Sequence, residues 1–564
     1  MSRESLNIVI GGEAGQGLVT IGQILAKGLV RSGFSIVVTQ SYQSRIRGGH
    51  NTYSIRAGCE DLSASQESID LLVALDAQSV ATHQQELSAE ALVVVDSNWN
   101  LTAPSFFAVP FKELVADRYA NIFALGVAGS LLGLSESLLE RVLEEFFGHK
   151  DPAMNEANRQ ALKKAYQWTI EQSIFFPKLE PLSNPPARLM INGNEAIALG
   201  ALSAGIKFLS FYPMTPATSI ALFLATQAEK LGLIVEQAED EISAVNMAIG
   251  SSFAGAPSMV STSGGGFALM VEGVSLAGMT ETPLVVVVAQ RPGPATGLPT
   301  RTEQGDLDFI LHSGHGEFPR AVFTPGTVEE CFHLTRQAFD LAESAQTPIF
   351  LLTDQYLADS YRAVMPFDLT TPAYKAPNGE NTGLTKPYRR YALTENGLSP
   401  RLFPGRTEDL VVADSDEHTE DGHLTEDLSV RKKMVEKRLA KGKLLFSRVI
   451  PPEFSGERRP DILLVGWGSS KGSVEEAAEK LRSGGKKVGT LHFSQVWPMV
   501  SEQFLPLLDE AKEVIMVEGN ATGQLARLIR RETGFHITKK VLRYDGLPIT
   551  PEYILRGVRT ESGA

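Results

Sequence analysis

Thr215, Arg291 and the acid cluster Glu239-Asp240-Glu241 have the side-chain types to handle a carbonyl, a carboxylate and a proton together, and each flanks an apolar run. Arg291 closes the valine-rich run Leu284–Gln290 and precedes Pro292-Gly293-Pro294. A guanidinium there adds little to packing. Its planar fork suits a carboxylate held by two hydrogen bonds, with an internal ion pair as the alternative. Thr215-Pro216 predicts a helix start, threonine as N-cap and proline in the first turn. The hydroxyl and helix N–H groups would then face a substrate carboxylate or carbonyl, unless they serve capping alone. Glu239, Asp240 and Glu241 precede Ile242, Val245, Ile249 and Phe253, an apolar stripe at helical spacing. Acids in a first helical turn are stabilising by about 0.3–1 kcal/mol each, so pattern alone does not single one out.

Three apolar runs must position these residues: 207–211, Ser258–Thr262 and Leu284–Gln290. Each reads as a strand ending in an unusual turn. The turns are Tyr212-Pro213-Met214-Thr215-Pro216, Ser263-Gly264-Gly265-Gly266, and the loop from Arg291 through Thr296-Gly297-Leu298-Pro299-Thr300. In open parallel α/β sheets ligands sit beyond the carboxyl ends of the strands, so one shared site is expected.

The chain has 564 residues, enough for several domains. Its 52 basic and 66 acidic residues leave a formal charge of −14, which argues against nonspecific binding to nucleic acid or anionic membrane. No signal peptide is visible and no apolar run is long enough to span a bilayer, so a cytoplasmic protein is expected. The two cysteines, Cys59 and Cys331, are too few for a four-thiolate iron–sulfur cluster and read as buried thiols. Any cluster must come with another chain.

Residues 1–180 read as βα units, with strands near 6–10, 35–38, 69–75 and 91–96. The turn Gly11-Gly12-Glu13-Ala14-Gly15-Gln16-Gly17 after the first strand brings backbone N–H groups to a helix N-terminus, where phosphate binds. The second strand ends Val37-Val38-Thr39-Gln40 without the acidic residue that holds a dinucleotide ribose. The following loop, Ser44-Arg45-Ile46-Arg47-Gly48-Gly49-His50, adds two arginines beside a glycine pair, again phosphate chemistry. A proline-rich stretch, 173–187, reads as a linker, and a central domain occupies 188–371. Residues 372–455 read as a polar excursion. Its acids, with His418 and His423, lack ligand spacing and are expected to form a solvated loop. A last α/β domain occupies 456–564.

Several motifs, in one order, resemble the α subunit of 2-oxoacid:ferredoxin oxidoreductases with a γ domain fused ahead of it. They are GGEAGQG (11–17), SRIRGGHN (44–51), YPMTP (212–216), EISAVNMAIGSSFAGA (241–256), TSGGGFALM (262–270), GPATGLPTRTEQGDL (293–307) and VEGNATGQLARL (517–528). The resemblance implies an α/β fold of three Rossmann-like or thiamine-enzyme-type parallel-sheet domains: a γ domain, a pyrimidine-binding domain and a transketolase C-terminal-like domain. It implies thiamine diphosphate as cofactor. Glu241 would match the glutamate that hydrogen-bonds the aminopyrimidine ring and so promotes loss of the thiazolium proton. Glu239 and Asp240 then keep the plain reading of acids that stabilise a helix start. Thr215 would lie near the reacting carbonyl, and Arg291 would bind the 2-oxoacid carboxylate. Thr296 and Thr300 would accept the far end of the substrate. Tyr212, Pro213, Gly264, Gly265 and Phe267 would lie along the cofactor. Gly12, Gly15, Gly17, Arg45, Arg47, Gly48 and Gly49 would form a coenzyme A site.

The TGLPT–TEQGDL run looks most like the 2-oxoglutarate group, although Met214 stands where pyruvate-type and broad-specificity relatives carry isoleucine. The implied activity is conversion of 2-oxoglutarate, coenzyme A and oxidised ferredoxin to succinyl-CoA, CO2 and reduced ferredoxin. The same chemistry on pyruvate or a branched-chain or aryl 2-oxoacid is the alternative, and a non-catalytic coenzyme A-binding scaffold is the alternative of another class. The chain carries neither a cysteine cluster nor a magnesium-diphosphate motif. The resemblance therefore implies a β subunit bringing Mg2+ and a 4Fe-4S cluster, in an (αβ)2 assembly that delivers electrons to ferredoxin.

Overall fold

The structure, a computed structural model, describes residues 4–43, 49–148, 151–180, 182, 185–369 and 386–560. These fall into two compact units. One comprises the described parts of Met1–Asn192, Asp359–Pro366 and Thr550–Tyr553; the other comprises those of Gly193–Ala358, Phe367–Ile549 and Ile554–Ala564. Among the described residues no helix is long and apolar enough to cross a membrane.

The first unit is built on an eight-stranded sheet in the order Phe106–Val109, Leu87–Asp96, Ile69–Ala74, Ser5–Glu13, His50–Gly58, Ser35–Ser41, Arg362–Val364, Leu189–Ile191. The first four strands run parallel. His50–Gly58 is antiparallel to both its neighbours, and so is Arg362–Val364. The sheet is therefore mixed, not wholly parallel as expected. His50–Gly58 escaped the sequence reading because its pattern alternates: Tyr53, Ile55 and Ala57 are buried and the residues between them face outward. Helices Leu18–Arg31, Ala120–Leu131 and Glu136–Phe147 line its apolar core. Phe176 and Leu179, from the proline-rich stretch, pack into that same core.

The second unit holds two sheets over one continuous core. The larger has the order Gln495–Trp497, Ala321–Phe323, Pro348–Asp354, Leu284–Gln290, Ser258–Thr262, Phe208–Phe211, Ile234–Gln237. All its pairs are parallel except the edge pair formed by Gln495–Trp497. Leu284–Gln290 lies in the middle, and all seven of its residues are buried, as an unbroken run of valines predicts for a strand covered on both faces. The smaller sheet runs Glu453–Gly456, Val488–Phe493, Ile462–Trp467, Glu513–Glu518, Lys539–Leu542, antiparallel only at its first pair.

The two sheets are stitched together by the segment 302–308. Gln304 donates to the Trp467 carbonyl at 2.8 Å and accepts from the Gly519 N–H at 2.8 Å. Gln524 donates to the Gly305 carbonyl at 2.7 Å and accepts from the Asp308 N–H at 2.9 Å. Behind them the buried Glu518 carboxylate accepts from the Trp467 indole and from the Leu525 and Ala526 N–H groups at the start of helix Gln524–Thr533.

The described part of the 372–455 excursion is packed at some positions and solvated at others: Asp416, Asp421 and His423 are exposed, as expected. His418 is fully buried, its ring 4.1 Å from that of Tyr391. Glu417 accepts from both Arg431 and Arg438. Helix Leu428–Ala440 places Lys437 against Glu281, with Nζ 2.6 and 2.7 Å from its carboxylate oxygens, and Lys441 also reaches that carboxylate. Arg390 donates to the Glu281 carbonyl at 2.8 Å. Burial alone would raise the Glu281 carboxyl, but Lys441, Lys437 and Arg390 overcome it and hold it at about 2. Burial pushes Lys441 down to about 7, which lessens the cationic excess around one glutamate at neutral pH. Part of this polar excursion is therefore an internal clamp.

Removing one partner of such a pair leaves a buried charge uncompensated. Glu281→Gln is expected to destabilise the protein by about 3–5 kcal/mol in chemical unfolding. Because Glu281 is depressed in the fold, its stabilisation is complete above the ordinary glutamate range and fades as pH falls toward about 2. The variant should therefore lose less stability than the parent on acidification over that interval; parallel acid profiles would contradict the clamp.

Candidate active site

Leu284–Gln290, Ser258–Thr262 and Phe208–Phe211 are neighbours in the larger sheet. Their register sets Phe211 beside Ser261 and Thr262 beside Val288. The three turns singled out from sequence therefore leave the sheet at one edge, as expected.

The glycine turn is the floor of the site. It begins helix Gly264–Met279, with Ser263 as N-cap. A Cβ on Gly266 would stand 2.6 Å from Glu241 Oε1 and 2.9 Å from Glu241 Cγ, distances no side chain tolerates. Glycine there is what lets the Glu241 side chain lie across the helix start. Glu241 is only 4 % exposed, and its carboxylate has no hydrogen-bond partner among the described residues. Its neighbour Asp240 is the N-cap of helix Glu241–Phe253 and accepts from the Ser243 N–H at 2.7 Å. One acid caps the helix, and the carboxylate of the next is unpaired among the described residues. Val245 and Ile249 bury the helix's inner face, whereas Ile242 points outward at 50 % exposure and does not continue the expected stripe.

Arg291 turns back over the first strand end. Its Nη1 donates to the Thr215 carbonyl at 2.7 Å. Burial lowers its pKa, and the nearby Asp306 carboxylate raises it again. The expected N-cap at Thr215 is not formed. The helix starts two residues after Pro216, as Thr218–Leu231, with Ala217 as N-cap. The reason lies in the turn's carbonyls. Thr215 gives its oxygen to Arg291, and Pro216 gives its own to Asn194 Nδ2 at 2.8 Å; the same amide donates to Ser219 Oγ at 2.7 Å. Side chains thus hold the turn.

The loop after Arg291 closes on itself. The Leu298 N–H donates to the Pro292 carbonyl at 3.0 Å, across Gly297, whose φ of 53° and lack of a Cβ are both needed there. The Ala295 carbonyl overhangs Gly265. This loop leaves Thr296 exposed and Thr300 buried, so the two threonines do not present equivalent hydroxyls. Tyr212 and Pro213 are exposed at the end of Phe208–Phe211, beside the floor's strand. Phe267 does not line the site. Its ring is fully buried, edge-on to Phe309 and Phe350, because its helical position faces the core.

Three acceptors and donors of this region were not selected from sequence. Gln304 joins the sheets. Asp354, buried, accepts from Thr302 Oγ1 at 3.3 Å, from the Leu357 N–H at 3.1 Å and from Ser469. Asp306 approaches the glycine floor from the far side. Two of them lie in the TEQGDL run, and that concentration of polar residues straight after Thr300 was the available signal.

In the first unit, Gly12 lies in strand Ser5–Glu13 with the Gln16 side chain where its Cβ would be, and Gly17 caps helix Leu18–Arg31. Gly15 occupies the open part of that turn, and Gly49 lies beside the Gln43 side chain. Arg45, Arg47 and Gly48 lie outside the described residues.

The unpaired Glu241 carboxylate and a turn with no room for a Cβ fit the aminopyrimidine side of a thiamine cofactor, which needs a buried acceptor and close backbone approach. Comparison with known proteins agrees. A family model for the thiamine diphosphate-binding domain of pyruvate flavodoxin/ferredoxin oxidoreductases matches residues 199–437. Models for pyruvate ferredoxin/flavodoxin oxidoreductase and for core domain II of pyruvate:ferredoxin oxidoreductase match 7–168 and 460–554. A 2-oxoacid:ferredoxin oxidoreductase α subunit of Sulfolobus sp is 31% identical over 96% of this chain and 95% of its own length. The KorA subunit of a Mycobacterium tuberculosis 2-oxoglutarate oxidoreductase is 28% identical over 99% and 91%. A 2-oxoglutarate:ferredoxin oxidoreductase from Magnetococcus marinus, solved with 2-oxoglutarate, coenzyme A and succinyl-CoA bound, superposes with a TM-score of 0.91 at 32% identity, covering 99% of this chain and all of that one. Site geometry, domain order and full-length similarity agree, and the chain belongs to the α subunits of the 2-oxoacid:ferredoxin oxidoreductases.

Proposed function

We propose that this chain is the α subunit of a thiamine diphosphate-dependent 2-oxoglutarate:ferredoxin oxidoreductase, forming succinyl-CoA and CO2 from 2-oxoglutarate and coenzyme A. The observation that carries this reading is the pairing of Glu241 and Arg291 around one glycine floor. An unpaired buried carboxylate and a guanidinium anchored on the Thr215 carbonyl, at the ends of strands that share one sheet, supply a proton-handling group and a carboxylate anchor. The ligands of the Magnetococcus relative support 2-oxoglutarate as the acid.

Glu241 would accept a hydrogen bond from the cofactor's aminopyrimidine and hold its proton balance; Tyr212, Pro213, Gly264 and Gly265 would lie along it. The cofactor, when bound, supplies the nucleophilic carbon and the electron sink. Arg291 keeps one nitrogen on Thr215 and retains further N–H donors for the 2-oxoacid carboxylate. Thr215 would stand beside the reacting carbonyl. Thr296, on the exposed loop, would meet the distal carboxylate, and Thr300 would act from beneath it. The partner β subunit would hold the diphosphate, Mg2+ and the 4Fe-4S cluster that passes electrons to ferredoxin, in an (αβ)2 complex. Coenzyme A would use the first unit, at the Gly12–Gly17 turn and the segment carrying Arg45, Arg47, Gly48 and Gly49.

Glu241→Gln in the reconstituted complex is expected to lower turnover by about 100-fold or more. It should also slow deuterium exchange at the bound cofactor's thiazolium carbon; exchange at the parental rate would rule out the role. Arg291→Ala should raise the 2-oxoacid KM by on the order of 10- to 100-fold, the loss of a charge-assisted contact, while kcat changes less. An unmoved KM would refute carboxylate binding there. A panel of 2-oxoglutarate, pyruvate, branched-chain and aryl 2-oxoacids with a dye acceptor tests the substrate. The highest kcat/KM should belong to 2-oxoglutarate, and a preference for a monocarboxylate would overturn that assignment.

A further inference from the structure

The glycine floor carries a second carboxyl, opposite Glu241. A Cβ on Gly264 would stand 2.8 Å from Asp306 Oδ1, so Asp306 lies against the helix start as closely as Glu241 does one turn position on. Asp306 Oδ2 is buried and has no hydrogen-bond partner among the described residues. The carboxyl is not there by slack. The Asp306 N–H donates to Gln290 Oε1 at 2.9 Å, and the Gln290 amide donates in turn to the Thr353 carbonyl at 3.2 Å. Gln290 is the residue before Arg291, so one strand end fixes both the guanidinium and the acid. The charged groups that act on Asp306 are Arg291 and, on its own segment, Glu303; Glu241 lies against Gly266, two residues along the same turn.

We propose that Asp306 is the resident counter-charge of Arg291 and takes up one proton when a 2-oxoacid carboxylate occupies that arginine. This rests on Arg291 being the carboxylate anchor. One half-buried guanidinium, already giving a nitrogen to Thr215, does not fully neutralise two carboxylates when one of them has a buried, unpartnered oxygen. Asp306 is the one that yields. Burial already pushes its carboxyl up to about 6 even though Arg291 pulls it down. An arriving carboxylate competes for Arg291 and adds negative charge, so Asp–COO⁻ becomes Asp–COOH with a proton from solvent. Asp306 is thus a positioning residue that acts through Arg291. Its charge offsets that of Arg291 in the free enzyme and is withdrawn when substrate docks. Linkage fixes the sign: docking weakens as pH rises above about 6, by up to about tenfold per pH unit, until the carboxyl of the bound state also ionises.

The test uses the complete complex of this chain with its partner subunit, loaded with thiamine diphosphate. Calorimetric titration with 2-hydroxyglutarate, which has both carboxylates and no carbonyl, in buffers of different ionisation enthalpy near about pH 7.5, counts protons directly. About one proton per ligand should be taken up by the parent and close to none by Asp306→Asn. The pH profile of kcat/KM for 2-oxoglutarate should fall above about pH 6 in the parent and lie flatter in the variant. No uptake by the parent, or the same uptake by Asp306→Asn, overturns the proposal; the parent measurement decides alone if the variant does not assemble. Arg291→Gln separates the two layers. If it leaves 2-hydroxyglutarate affinity unchanged, the anchor reading itself fails, whatever Asp306 does.

Discussion

The first turn of helix Gly264–Met279 has no room for a Cβ at Gly264 or Gly266, and the site depends on that close approach. Two carboxyl groups from distant parts of the chain, Glu241 and Asp306, are pressed onto the turn from its two sides. Two carboxylates would ordinarily avoid a shared, water-poor surface. Here the partial positive charge of the helix start favours both, and Arg291 supplies a full cation. A side chain on either glycine would push the carboxyl lying against it away from the turn.

The floor works only if its walls do not move. Thr302 is bound to Asp354 at the end of a larger-sheet strand, while Gln304 and Gly305 bind the smaller sheet's turn and helix, so the segment that delivers Asp306 is held from both sides. On the opposite flank the Glu281 carboxylate ties Lys437 and Lys441 to the larger sheet's domain. A buried ion cluster is costly to assemble, but it has one low-energy arrangement, and breaking any part exposes a charge to an apolar interior. That suits a frame that must hold catalytic groups within a fraction of an ångström.

The TEQGDL run shows how a motif can serve two purposes. Its Thr302 side chain is spent on the buried Asp354 and its Gln304 side chain on docking the smaller sheet. Its aspartate turns toward the site. Membership of the family is legible in the run as a whole, whereas the roles of its members depend on which way each side chain leaves the segment.

Much of the frame was legible in sequence. The buried run Leu284–Gln290, the helix opened by Glu241 and the meeting of three strand ends follow from local periodicity and from the geometry of parallel sheets. Glu241 was set apart from Glu239 and Asp240 by resemblance, and its buried, unpaired carboxylate beside a capping Asp240 is consistent with that choice. Other assignments needed the fold. Thr215 lost its capping role to carbonyl acceptors claimed by Arg291 and Asn194, residues far away in the chain. Phe267 went to the core and part of the polar excursion became a buried clamp. Asp306, indistinguishable in sequence from any loop aspartate, became a buried carboxyl. Helical and strand periodicity are local properties that a sequence carries in full. Which polar group ends up desolvated, and against which charge, depends on where separate segments come to rest, so only the tertiary structure decided it.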